Sequence, residues 1–260
     1  MSKTLKILPA DLLEEYIKTF PSTAKTDFEN LTDSELSIDN FSFYTSVSAV
    51  FSSKIEGEDI ELDSFIKYKK FSVKFKPDYT RKIDDLYDAY LFAQINRLNR
   101  KNLLKAHRFV TKNILQKSQQ GRFRTGIMYV ITDSGQIEYV ASAPQIVECE
   151  MERLFADIET LLKTDLTFEE VFFFASMLHL VFVKIHPFND GNGRTARLLE
   201  KWFLAEKLGE KAYLLQSERH YYENYQQYYN TIRKLGLEYE ELKYAEAMPF
   251  LKMLPQSLNL

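Results

Sequence analysis

Twelve consecutive residues, His186 to Arg197, read HPFNDGNGRTAR and hold most of the side chains that could do chemistry. Gly191 and Gly193 are two of only eight glycines in the chain, so their spacing around Asn192 points to backbone that must approach something closely. A glycine-rich turn feeding a helix N-terminus aims unpaired N–H groups and about half a positive charge of dipole at one point, which suits a phosphate. Arg194 and Arg197, three apart on the first turn, can swing both guanidinium forks to one side. Positive charge there opposes the dipole, so the pair calls for a polyanion. Asp190 would repel a phosphate unless a divalent cation lay between them, and Mg²⁺ characteristically takes one carboxylate with phosphate oxygens and water. The spacing therefore points to Mg²⁺ with a nucleotide polyphosphate. His186, held by Pro187, is the natural general base, since a neutral imidazole takes a proton at physiological pH. Phe188 is expected to point inward and fix the loop, and Asn192 to donate its side-chain amide to a phosphate oxygen. Each residue alone has an ordinary structural reading. Their coincidence in twelve positions does not, and the glycine pattern fits neither the dinucleotide-binding fingerprint nor the Walker loop.

The elements that must position this loop are helical. Thr167 and Glu170 form a capping box ahead of an apolar run from Val171 to Val183, which contains His179 and stops at Lys184. That run is too short for a bilayer and reads as a core helix ending where Pro187 forces His186 out of helical geometry. A second helix follows the glycines and stops at Gly209. Helical periodicity also runs through Ile83, Leu86, Tyr87, Tyr90 and Leu91, and through Leu103, Leu104, His107, Val110 and Ile114. The exception is Ile127 to Ser142, where two β-prone runs flank Asp133, Ser134 and Gly135 and predict a hairpin lying on the helical body. His107 and His179 fall on apolar helix faces and read as structural.

The fold class is therefore mainly α. With 260 residues, 45% hydrophobic and 27% charged, the chain can bury a sizeable core and falls outside the disordered, collagenous and disulfide-scaffold classes. Thirty-four basic against 37 acidic residues leave a net charge of −3, so no global field draws it to nucleic acid or a membrane surface. Cys149 is the single cysteine, which places the protein in a reducing compartment, the cytoplasm. Weak breaks at 37–40 and 75–79 divide an N-terminal helical arm, residues 1–75, from a catalytic domain, residues 76–260.

The loop resembles the full signature of the Fic family at every fixed position of its pattern, and the resemblance extends over about residues 40 to 255. It implies a Fic helical core with a β-hairpin flap, and transfer of AMP from ATP to a Ser, Thr or Tyr hydroxyl of a target protein, with release of pyrophosphate. By the same resemblance His186 is the base, Asp190 holds Mg²⁺, and Gly191, Asn192 and Gly193 cradle phosphates that Arg194 and Arg197 bind. Related toxins that phosphorylate their target resemble a pattern with lysine where this chain has Gly193. GRFR at 121–124 and the hairpin resemble the family's flap, whose edge at Ile137, Glu138 and Tyr139 would dock an extended target segment. The segment 224–232 resembles another family motif, with Tyr225 in place of its arginine; Tyr228 and Tyr229 would offer adenine an aromatic face.

A second site lies at 52–57, SSKIEG. Gly57 reads as a helix stop, which leaves Glu56 at the negative end of the dipole, where a carboxylate wants a cation. The hexapeptide resembles the family's inhibitory motif, built here on Ser52 and Glu56, on the N-terminal side of the core. The expectation is that Glu56 pairs with Arg197 and holds the enzyme in a low-activity state. Two other readings stand beside autoinhibited transfer: hydrolytic removal of AMP with Glu56 positioning water, and a non-catalytic module that responds to ATP. Self-modification and a homodimer are both compatible with the sequence.

Overall fold

The computed structural model describes residues 5–38, 41–74, 77–131, 135 and 137–260, and for residues 77–79 the backbone alone. In chain order the helices are α1 (Leu13–Thr19), α2 (Ala24–Glu29), α3 (Phe43–Ile55), α4 (Leu62–Phe71), α5 (Pro77–Gln94) and α6 (Arg100–Val110). Strands β1 (Tyr129–Ile131) and β2 (Ile137–Val140) come next, followed by α7 (Val147–Lys163), α8 (Phe168–Ile185) and α9 (Asn192–Leu208). The chain closes with α10 (Ser217–Glu223), α11 (Tyr225–Arg233), α12 (Met248–Leu251) and α13 (Met253–Gln256). The fold is mainly α with one small antiparallel hairpin.

Two central helices carry the site between them. α8 is apolar on all sides and buried from Val171 to Phe182, as a helix must be when neighbours surround it. It starts at the capping box of Thr167 and Glu170 and ends at His186, whose φ of 52° and ψ of 59° are left-handed. α9 packs along it, starts after Gly191 at φ 77° and stops at Gly209. Twelve of its residues are buried, among them Arg194, Arg197, Glu200 and Lys201, which sets up the polar chemistry below.

The N-terminal helices belong to the same core. Tyr16 and Phe28 interlock with Phe173, Phe168 and Phe172 at the start of α8. The Asp157 carboxylate takes backbone N–H groups of Lys6, Ile7 and Leu8 at 2.7–2.9 Å. One continuous buried cluster runs from Leu8 through Val50 and Phe65 to Leu258. The expected arm is thus packed onto the body; its boundary at 75/76 and residues 39–40 lie outside the described residues, and Pro77–Tyr79 begin α5 rather than link domains. On α5, Ile83, Leu86, Tyr87 and Tyr90 are buried as their spacing requires, whereas Leu91 is exposed, one step round the helix from that stripe. In the hairpin Tyr129 faces Val140 and Val130 faces Tyr139, with an irregularity before Ile131. Of the expected turn, Asp133 and Ser134 lie outside the described residues, and Gly135 has φ 79°. Among the described residues no helix is long and apolar enough to cross a membrane.

Candidate active site

The C-terminus of α8 leaves carbonyls without helical partners, and the surrounding residues supply them. His186 Nδ1 lies 3.2 Å from the Val183 carbonyl, and the Tyr139 hydroxyl donates to that of Lys184 at 2.7 Å. Ser142 Oγ donates to Ile185 at 2.9 Å, and Arg124 Nε donates to the His186 carbonyl at 2.7 Å. With Nδ1 donating to a carbonyl, Nε2 is the unprotonated ring nitrogen. Burial pushes the His186 imidazolium down to about 4, so the ring is neutral at pH 7 and able to accept a proton.

The loop itself is braced by groups it does not contain. Phe188 is buried and stacks on the His107 ring with 3.6 Å between centroids. His107 Nδ1 accepts the Gly121 N–H at 2.9 Å, so its Nε2–H donates to the Asp190 carbonyl at 3.0 Å. Gly121 itself has φ 64°. Asn192 has a structural task as well: its amide nitrogen donates to the Phe188 carbonyl and its oxygen accepts the Phe188 N–H, both at 2.9 Å. The oxygen and one of the two amide hydrogens close the loop, so the side chain fixes the shape of the turn with one N–H remaining. At Gly191 a Cβ would combine a left-handed φ with a 2.7 Å approach to Thr111. At Gly193 it would meet Glu56 Oε1 at 2.5 Å, so this glycine makes room for a carboxylate.

That carboxylate belongs to the C-cap of α3. Glu56 Oε1 accepts from Arg197 Nη2 at 2.6 Å, and Ser52 accepts from the same guanidinium through Oγ at 2.8 Å and through its carbonyl at 3.0 Å. Burial opposes charge on Glu56, but the guanidinium groups of Arg197 and Arg194 outweigh it and hold the carboxyl below its usual range. Arg194 reaches Asp190 Oδ1 at 3.3 Å and keeps a buried Nε without a partner, an unfilled donor at the head of α9. Asp190 uses the same Oδ1 for the Gly191 N–H at 2.5 Å, and its side chain is 46% exposed. No cluster of three metal-ligating side chains exists among the described residues. A half-exposed carboxylate beside a guanidinium with one unfilled donor fits a hard cation that takes its other ligands from phosphate oxygens and water.

A cavity of about 280 Å³ brings Glu56, His186, Gly193 and Arg197 together with Tyr129, Glu138 and Tyr139 of the hairpin and Tyr228 and Tyr229 of α11. Tyr228 is 1% exposed and its hydroxyl is taken by Arg197 Nη1 at 3.2 Å and His179 Nε2 at 2.9 Å, so it is a polar anchor rather than an open aromatic face. Tyr229 is the less buried of the two, and Tyr225 is exposed. The docking edge also differs from expectation. Ile137 is exposed, Glu138 pairs with Arg233, Tyr139 is buried, and the Val140 N–H donates to the Leu237 carbonyl at 2.8 Å, which covers that part of β2. The outer edge of β1 has no strand beside it among the described residues.

Sequence reasoning noted Arg124 only within GRFR and gave no role to this residue, whose guanidinium and backbone N–H clamp the residues on either side of the α8 terminus. It also passed over Lys184, a buried lysine on the cavity wall whose ammonium lies 4.0 Å from the Tyr139 ring centre, and which burial pushes down to about 8. The arginine of GRFR was the available signal for the first; nothing local marked the second.

Residues 97–204 match the sequence model of the Fic/DOC family. Over 107 residues the chain is 34% identical to "Protein adenylyltransferase Fic" of Nematostella vectensis, a match covering 41% of this chain and 23% of that protein. The chain therefore spans about a quarter of that relative's length. Among solved structures, a Fic family protein from Desulfovibrio desulfuricans superposes with a TM-score of 0.71 at 21% identity, over 98% of this chain and 73% of the other. Fic-1 from C. elegans (residues 134–508) gives 0.67 at 19% identity, over 95% and 68%. These structural likenesses concern the fold. The signature loop lies inside the segment that matches the Fic/DOC family model, and the helical fold is shared with the Fic structures over nearly the whole chain.

Proposed function

We propose that this protein is an autoinhibited, Mg²⁺-dependent adenylyltransferase that moves AMP from ATP to a hydroxyl side chain of a target protein in a reducing, cytoplasmic setting. The observation that carries this reading is the buried Arg197 guanidinium at the head of α9, occupied by the Glu56 carboxylate on the same cavity wall as His186. The Gly191–Gly193 turn and Arg194 receive the triphosphate, and Arg197 joins them once Glu56 withdraws. Tyr229 and the hairpin bound the adenine side. Asp190 would hold Mg²⁺, which when bound neutralises charge on the phosphates. The target hydroxyl oxygen forms a bond to the α-phosphorus, the bond from that phosphorus to the bridging oxygen breaks, and pyrophosphate leaves with the bonding electrons. The hydroxyl proton passes to His186 Nε2, the ring nitrogen left free by the Val183 contact.

Intact-mass measurement after incubation with Mg·ATP tests this. The Glu56→Gly protein should gain AMP on itself or on a target far faster than wild type. His186→Ala in that background should lose on the order of 10²- to 10⁴-fold in rate. Nucleotide binding without transfer would favour the responsive-module reading. Because Glu56 lines the same cavity as His186, it is also placed to orient a water, so loss of AMP from a modified target would favour the hydrolytic one.

A further inference from the structure

Arg197 is gripped from two sides. Ser52 on α3 takes Nε and Nη2, and Tyr228 on α11 takes Nη1. Behind Tyr228 the path continues to His179 Nε2 at 2.9 Å, and from His179 Nδ1 to Glu200 Oε2 at 2.8 Å. Every member is at most 1% exposed. A guanidinium only donates, so the Tyr228 oxygen accepts from Arg197 and its proton points to His179 Nε2. The Nδ1–H then donates to Glu200, which also accepts from the Tyr221 hydroxyl at 2.9 Å. This assignment leaves no polar atom of the path without a partner. Burial pushes the Tyr228 phenol up to about 12, so its proton is present to be donated. Glu200 is three residues beyond Arg197, so the path leaves α9, crosses α11 and α8, and returns to α9 one turn away.

We infer that His179 and Tyr228 are positioning residues: a neutral hydrogen-bond relay, anchored on Glu200, sets the aim of the Arg197 guanidinium against Glu56 in the resting protein and against a polyphosphate once Glu56 withdraws. The second state rests on the proposed function; the first does not. Exchange of Glu56 for a phosphate oxygen alters a single Nη2 contact, while the bonds to Ser52 and Tyr228 persist and keep the fork pointing the same way. A donor held in place beforehand gives up less freedom on binding than a mobile one, and aligned dipoles between Arg197 and Glu200 strengthen one another in a buried path.

The test has two arms. In the resting protein, NMR of the arginine guanidinium groups should show the Nη1 hydrogens of Arg197 shifted and exchanging faster in Tyr228→Phe and in His179→Gln. Unchanged Nη1 signals in both would overturn the relay whatever the protein does with nucleotide. In the Glu56→Gly background, Tyr228→Phe should weaken calorimetric binding of Mg·ATP and of inorganic tripolyphosphate by roughly 10-fold. The same substitution added to Arg197→Ala should change neither, because the relay acts through that arginine. An equal loss with and without Arg197 would mean general structural damage and would also overturn it. If the Glu56→Gly protein bound neither probe, the proposed function would fall, and the NMR arm would still decide the relay.

Discussion

At the scale of single residues, charge and shape can be separated at Glu56. Its carboxylate fills the room left by Gly193 and meets Arg197 at 2.6 Å, so a side chain of the same size with no charge keeps an acceptor oxygen but gives up the ion pair. Hydrogen bonds to charged partners contribute about 1.5–3 kcal/mol and neutral ones about half that. Glu56→Gln should therefore transfer AMP at a rate between wild type and Glu56→Gly, measured with labelled ATP at saturating Mg²⁺. Equal rates for Glu56→Gln and wild type would mean that bulk alone blocks the site; equal rates for Glu56→Gln and Glu56→Gly would assign the block wholly to charge. His186 is set up differently, through a carbonyl rather than a carboxylate at Nδ1, and burial keeps its ring neutral with Nε2 unprotonated.

Between elements, the contact that matters is α3 against α9. Ser48, Ser52 and Glu56 recur every four residues along one face of α3 and meet Lys201 and Arg197, four apart on α9. Lys201 also donates to Glu218, which in turn takes the Tyr90 hydroxyl. Undocking α3 would strand two buried cations and expose Val47, Val50 and Ile55, each contributing about 1.5–3 kcal/mol by burial. Rotating Glu56 away, with its side chain already 24% exposed, breaks one ion pair. Release should thus be local: hydrogen exchange of amides 43–52 in the Glu56→Gly protein with Mg·ATP should stay within about twofold of wild type, whereas a hundredfold acceleration would show the whole helix leaving. The sequence showed the ends of these elements, because capping at Thr167 and Glu170 and the stops at Gly57 and Gly209 are local chemistry. It could not show the ladder, whose Ser48–Lys201 link spans 153 positions, or the cover that Leu237 places over Val140. Nor could it show that Asn192 closes the loop onto Phe188 with its oxygen and one amide hydrogen, because a side-chain amide has several candidate uses.

For the molecule as a whole, buried histidines tie stability to acidity. Burial pushes His107 and His186 each down to about 4 and lowers His220 as well. Between pH 6.5 and about 4 the unfolded chain binds protons that the folded chain refuses, so stability falls as pH falls through this window. For His107, fully buried, each pH unit there removes about 1.4 kcal/mol, roughly 3 kcal/mol in all. Glu56 and Glu218 act lower down: their lowered carboxyls stabilise the fold above the ordinary carboxylate range, and that contribution is lost as pH falls through their own values. Asp85 and Asp88, raised by burial, pull the other way from the ordinary carboxylate range upward and so offset part of the histidine loss. Lys184 contributes a constant penalty below pH 8 and does not shape the acid limb. Against a typical total of about 5–15 kcal/mol, the histidine losses bring the fold close to unfolding near pH 4. Urea denaturation at pH 6.5 and 4.5 should show a fall of several kcal/mol with an unchanged m-value. His107→Asn keeps an acceptor for the Gly121 N–H but has nothing to protonate, so its slope with pH should be shallower by about 1.4 kcal/mol per unit. A wild-type stability that stayed flat across that range would mean these rings take up protons without unfolding, and that the loop beneath Phe188 is open enough to hydrate them.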